Sequence, residues 1–373
     1  MKYSTIIVST LILTSVITSC KKEGCTDPSA TNYDKKAKKD NGYCEYAADH
    51  KEILKAIGTN VVVATYNDLA NNTSSLYDAV NDFIANPSAA KLDNCRNLWK
   101  FSRSSWECSE GFLFGPVATE EIDPRIDTWP VDYNAMETLL SGSTDFTVDA
   151  NIDALDDALK GFHPIEYILW GANGTKTYSD FTLREKEYLK ALAKNVKKLT
   201  SDLVQGWNVN ASGSFYTSFT APGPGNTFYP TTKSVFEELV NGIAGICDEV
   251  ANGKISEPFT QHNPSLEESP YSQNSIKDFT DNIRSVENIY MGKYTSDGQG
   301  LENLVRAHNL SLDNTIKTKI SNAITKIQAI TDPFGTAITS QATLVQNAIN
   351  AINDLKSTLE GDLLLLVQQY VTD

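Results

Sequence analysis

The sequence predicts an all-α protein, two packed helical-bundle domains preceded by a small disulfide-stapled segment. Three observations carry this. From Asp49 onward, apolar residues recur at three- and four-residue spacing in one segment after another. Alternating strand patterns are scarce over the same length. Ahead of that body, Cys25 and Cys44 bracket a short stretch dense in Asp, Asn, Gly and Pro, which is turn chemistry.

In chain order, Lys2 precedes an apolar run from Ile6 to Ile17 that closes with Ile17-Thr18-Ser19-Cys20. A short apolar run ending in small residues before a cysteine reads as a lipoprotein signal, residues 1–19. Cys20 is then the lipidated first residue of the mature chain. The run falls short of the about 20 apolar residues that span a bilayer. The expected attachment to the membrane is therefore a lipid tether only, in the cell envelope, on the periplasmic face or surface of the outer membrane. The net charge of −15 becomes −16 once Lys2 is removed. That balance argues against nucleic acid and against a polybasic membrane patch, and it is compatible with cationic ligands.

Residues 20–48 read as a spacer module. In an oxidising compartment Cys25 and Cys44 are expected to pair, a closure worth about 3 kcal/mol in chain entropy. The module's oxygens suit Ca²⁺, but the EF-hand spacing is absent. Helices are expected over His50–Leu69, Ser74–Ala85, Lys91–Phe112, Tyr133–Ser141, Ala150–Lys160 and Pro164–Leu169. A long amphipathic one follows over Thr182–Gly206. Gly206 to Pro230, with Gly-Ser, Pro-Gly-Pro-Gly and several aromatics, reads as a loop. Helical periodicity returns at Thr231–Asn252, Ser269–Lys293, Leu301–His308, Leu312–Thr331 and Phe334–Tyr370. The body is too long for one small bundle, so two helical domains are expected, 49–225 and 226–373. Cys95 and Cys108 would lie about 20 Å apart on one helix and cannot bridge. Either one meets Cys247, or all three are buried apolar thiols, the default.

The residues that carry chemistry centre on Gly161-Phe162-His163-Pro164-Ile165-Glu166. Pro164 fits best as the first residue of a helix. That puts His163 at the N-cap and Glu166 at the third helical position, both at the positive end of the backbone dipole. Such a corner suits an anion, or a metal held by His163 and Glu166; it also reads as an ordinary helix start with Glu166 capping. On the helix before it, Arg103, Glu107 and Glu110 share a face with Trp106 alongside, as a cleft wall or as an exposed ion-paired stripe. Trp99 and Phe101 read as core or cleft wall. Glu268-Ser269-Pro270 resembles a further helix start, with Ser269 as N-cap and Glu268 able to face His163 as an oxygen ligand. His50 is expected to be exposed, and His308 to end a helix.

Gly161, His163 and Glu166 spell GxHxxE, and with this motif the chain resembles the imelysin-like family. The resemblance extends to Arg103–Glu107, Phe112–Pro116, Asp123–Asp132, Glu268–Ser275 and Asn288–Gly292, in the family's order. It implies two helical domains with GxHxxE at their interface. It also implies an iron-regulated envelope protein linked to iron acquisition, alongside envelope iron-uptake partners. One imidazole with several carboxylates suits iron, or a metal-bearing small ligand. As the second reading, the resemblance implies a zinc metallopeptidase, in which Glu166 would be catalytic. GxHxxE supplies at most two of the three zinc ligands such an enzyme needs. HExxH and its inverse do not occur, and a third ligand would have to be His262 or His308. No spacing identifies a base. A surface interaction protein without metal chemistry is the third reading.

Overall fold

The computed structural model describes residues 22–372. The expected signal and Cys20 lie outside them. Contacts divide the described residues into two compact units, the first ending at residue 47 and the second beginning at residue 48.

In the first unit, β1 (Glu23–Gly24) pairs in parallel with β2 (Lys39–Asp40), and Cys25 is bonded to Cys44 as expected. Most of what holds it is turn chemistry. Asp27, Asp34, Asp40 and Asn41 each accept from the backbone N–H two residues on. Asn32 ties the Tyr43 carbonyl to the Glu45 N–H.

The second unit is helical throughout. The chain enters α1 (His50–Ala56) under an Asp49 cap and runs through a π-helical segment, Ile57–Val63, into α2 (Ala64–Ala85). The break expected at residues 70–73 is absent, because Leu69, Thr73 and Leu76 continue the buried stripe. Next come α3 (Ala89–Glu107), a 3₁₀ turn at Glu110–Phe112, α4 (Pro116–Thr119), α5 (Ile122–Asp127), α6 (Tyr133–Ser141) and α7 (Asp149–Asp153). Then α8 (Phe162–Trp170) leads to α9 (Leu183–Gly206), opened by a Thr182–Glu185 capping box. The Gly206–Pro230 stretch carries α10 (Phe215–Thr220), whose aromatics pack on Phe114 and Trp207. Beyond it, α11 (Thr232–Asp248) passes through a second π-helical segment, Glu249–Ile255, into α12 (Ser256–Thr260). The chain ends with α13 (Ser275–Met291), α14 (Leu301–His308), α15 (Leu310–Gln328), α16 (Phe334–Ser340), α17 (Ala342–Thr358) and α18 (Leu364–Tyr370). The single helix expected over Phe334–Tyr370 is interrupted at Gln341, whose side-chain oxygen accepts from Thr331 N–H.

Helices α2, α3 and α9 pack together, as do α11, α13, α15 and α17, and α3 also lies against α13. One continuous apolar core runs through both groups. Cys95, Cys108 and Cys247 are free and buried, as expected by default; burial pushes the Cys95 thiol up to about 12. Trp99 and Trp106 are buried, but Phe101, expected in the core or a cleft wall, is 59% exposed. His50, expected to be exposed, is partly buried, with its ring against Phe236. His308 ends α14 and stacks on Tyr370. Among the described residues, no helix is long and apolar enough to cross a membrane.

Candidate functional site

Helix α8 is buried along nearly its whole surface, charged residues included. Its entry decides where His163 goes. Gly161 takes the N-cap at φ +88°, a conformation that L side chains rarely adopt, and a Cβ there would sit 2.3 Å from the Ile126 carbonyl oxygen. Only glycine lets α8 come this close to α5, and the approach sets His163 beside Asp127. The helix therefore starts at Phe162. His163 is its second residue rather than the N-cap, and Glu166 its fifth rather than its third.

The shift redirects Glu166. From the fifth position it is past the free N–H groups of its own first turn. Its Oε1 instead accepts from Tyr271 N–H at 3.1 Å and Ser272 N–H at 2.7 Å. Burial raises its pKa, partly offset by His163 and Ser272. Glu166 Oε1 thus anchors the loop that carries Glu268, while its buried Oε2 has no hydrogen-bond partner. Ser269 is likewise not an N-cap. Helix α13 begins at Ser275, while Ser269 Oγ donates to Asp278 and Ser269 N–H donates to Ser275 Oγ.

Around His163 the structure gathers the residues of the α3 face. Arg103 is fully buried and paired with Glu107, Asp127 and Glu268, with Asp278 Oδ1 3.9 Å from its Nε. Lys254, from the π-helical segment, lies 2.9 Å from Glu110 Oε2 and 3.5 Å from both Glu107 Oε2 and Glu268 Oε1. Asn282 of α13 donates to Glu107 and Glu110. Trp106 Nε1 donates to Asp127 Oδ2 at 2.7 Å. The α3 face foreseen as wall or exposed stripe is therefore interior. Five buried carboxylates there, Glu107, Glu110, Asp127, Glu268 and Asp278, face two cations.

That imbalance sets the electrostatics. Burial works against ionising each carboxylate. At Asp127 the Arg103 guanidinium and His163 outweigh it and hold the carboxyl well below the usual range. At Glu268 Lys254 and Arg103 do the same more weakly. At Glu107, Glu110 and Asp278 burial wins and the carboxyls rise. His163 Nε2 lies 3.1 Å from Asp127 Oδ1 and 3.7 Å from Glu268 Oε1, but off-line, so neither buried ring nitrogen has an aligned hydrogen bond. The Trp129 ring lies against the imidazole, centroids 4.8 Å apart. Among the described residues, two donor sets are close enough to hold a metal ion: Asp127–His163–Glu268 and Glu107–Glu110–Asp127, the ligand atoms of each within 4.8 Å of one another. His262 and His308 belong to neither. A cavity of about 270 Å³, lined by Glu110, Asp127, Glu249, Lys254, Glu257 and Glu268 among others, adjoins both sets.

The chain matches the Imelysin family (peptidase M75) over residues 62–359. It belongs to the imelysin family. Iron-regulated protein A of Synechococcus elongatus is 30% identical over 326 residues, 85% of this chain and 86% of that one. A crystal structure assigned to an iron-regulated protein A precursor of Parabacteroides distasonis superposes with a TM-score of 0.76 at 27% identity, covering 88% of this chain and 97% of that chain. An imelysin-like protein of Psychrobacter arcticum 273-4 shares the fold, with a TM-score of 0.67 at 13% identity over 89% of this chain and 100% of that one.

Reading this imelysin-family sequence alone missed Asp127, Lys254, Asp278 and Asn282 as members of the cluster. Asp127 stood inside the Asp123–Asp132 stretch that carried the family resemblance. Lys254, Asp278 and Asn282 carry no local signal: each is a polar residue on a helix, and only packing turns it inward.

Proposed function

We propose that this chain is an envelope-tethered imelysin-family protein that binds a first-row transition-metal ion, iron before zinc, in iron acquisition. The donors are His163, Asp127 and Glu268, backed by Glu107 and Glu110. The observation that carries the reading is the buried imidazole of His163, without an aligned hydrogen bond and facing the Asp127 and Glu268 oxygens. A buried polar nitrogen is ordinarily satisfied, and one imidazole among carboxylates is a donor set that iron, manganese and zinc accept. The excess of buried carboxylate over cation favours a further positive charge at the same place. A metal there would neutralise that excess; Arg103 would hold Asp127 and Glu268, and Glu166 would hold the 271–272 backbone. The relatives named iron-regulated protein A favour iron or an iron-bearing ligand. The tether rests on the apolar run ending at Cys20.

Metal content of the purified protein, with titration of iron(II), manganese(II) and zinc(II), tests the site. His163→Ala and Asp127→Asn are expected to abolish uptake. Glu166→Gln is expected to retain it, because that carboxylate serves the backbone. A His163→Ala protein that holds as much metal as the parent removes the assignment. Chelator-sensitive hydrolysis of a mixed peptide library, lost in His163→Ala, would replace binding with peptidase action.

A further inference from the structure

Arg103 and Lys254 are the two cations of the buried cluster, and they are held differently. Arg103 has no exposed surface and is surrounded by carboxylates on several elements. Lys254 enters from the cavity side, its side chain 9% exposed, on the π-helical segment Glu249–Ile255. Such segments recur at functional sites. Its ammonium rests on oxygens of Glu107, Glu110 and Glu268, which are members of the two donor sets. It therefore stands where an incoming cation's charge would be felt. Next to it, Glu249 Oε1 lies 3.7 Å away, and both Glu249 and Glu257 line the same cavity from the same helical run.

We propose that Lys254 is the specificity-determining residue of this site, a tethered competitor that a divalent or trivalent ion displaces toward Glu249 and Glu257 and that monovalent ions do not. The inference rests on the metal reading above. The physical reason is charge. Exchanging an ammonium for a sodium or potassium ion puts one positive charge in place of another and gains nothing against the same carboxylates. A doubly charged ion gains Coulomb energy that grows in a poorly solvated interior. The lysine stem is long and flexible enough to leave without moving the helix, whereas the Arg103 fork is fixed by its several partners.

The test compares wild-type protein with Lys254→Met, which keeps the length and removes the charge. Manganese(II) binding is measured by calorimetry in sodium chloride and in N-methylglucamine chloride of equal ionic strength. Lys254→Met is expected to bind manganese about tenfold tighter or more and, unlike wild type, to weaken specifically in sodium. Independently, acetylation of wild-type protein read by peptide mass spectrometry is expected to label Lys254 faster when manganese saturates the site. Equal or weaker binding by a folded Lys254→Met protein, or unchanged labelling of Lys254 in metal-saturated wild type, overturns the inference and leaves Lys254 a fixed structural tie. If wild type takes up no manganese, zinc or iron(II), the metal reading itself falls, and the inference with it.

Discussion

At Arg103 one guanidinium holds together residues far apart in sequence: Glu107 on its own helix, Asp127 on α5, Glu268 in the loop before α13, and Asp278 on α13. Removing one partner of a buried ion cluster strands the others, at a cost of about 3–5 kcal/mol. Arg103→Met is therefore expected to lower the unfolding free energy by about that much in urea titrations. Arg103→Lys should recover only part of it, since an ammonium cannot span the same oxygens. A loss under about 1 kcal/mol would mean that the surrounding carboxyls are protonated. Asp123, at the cavity wall, makes a pH prediction. Burial first, then Asp127 and Glu249, raise its carboxyl from 3.8 to about 6, against Lys254 and with a further push from Glu107. Between those values the folded chain holds a proton that the unfolded chain has lost, so stability falls as pH rises through that window. Asp123→Asn is expected to melt higher than wild type at neutral pH in the presence of chelator, with the difference shrinking toward zero as pH approaches 3.8. A constant difference across the range would contradict it.

Among the elements, α8 carries the strictest backbone requirement. Gly161→Ala would force a side chain into a positive-φ, extended-ψ backbone that is essentially glycine's alone, costing about 1–3 kcal/mol, and press its Cβ onto the Ile126 carbonyl, adding about 1–3 kcal/mol of overpacking. The expected result is a loss of roughly 3 kcal/mol in urea, accompanied by weaker metal binding because α8 and α5 no longer close. A full-strength site in a Gly161→Ala protein would show that His163 is positioned by something other than this approach. The loop of residues 267–274 shows the opposite principle. Ser269-Pro270 has every local feature of a helix start, yet Glu166 takes the N–H groups of Tyr271 and Ser272, and Asp278 takes the Ser269 hydroxyl. Buried carboxylates outbid the helix for those donors, and α13 waits until Ser275.

For the whole molecule the question is whether the α2–α3–α9 and α11–α13–α15–α17 groups unfold together. The continuous core and the shared Arg103 cluster predict one cooperative transition for the helical body. All five tryptophans lie before residue 226, so fluorescence reports on the first group while far-ultraviolet circular dichroism reports on every helix. The two urea curves are expected to coincide. Separate midpoints would favour the division expected near residue 225.

Much of this protein was legible without coordinates, for reasons that are local. Apolar residues at helical spacing announced the long helices but not the short α4, α5, α10 and α12, because a helix repeats its face every three or four residues and one or two turns are too few to show the repeat. Cys25 and Cys44 announced their bond through turn-rich spacing. Arg103 and Glu107 declared a common face. What the sequence by itself could not decide was direction. Whether that face met water or other charges, whether Glu166 turned to His163 or to the backbone of Tyr271 and Ser272, and that Asp127, Lys254, Asp278 and Asn282 would meet there were settled only by tertiary packing. Desolvation and Coulomb attraction act through space between residues as many as 175 positions apart, and no local spacing records them.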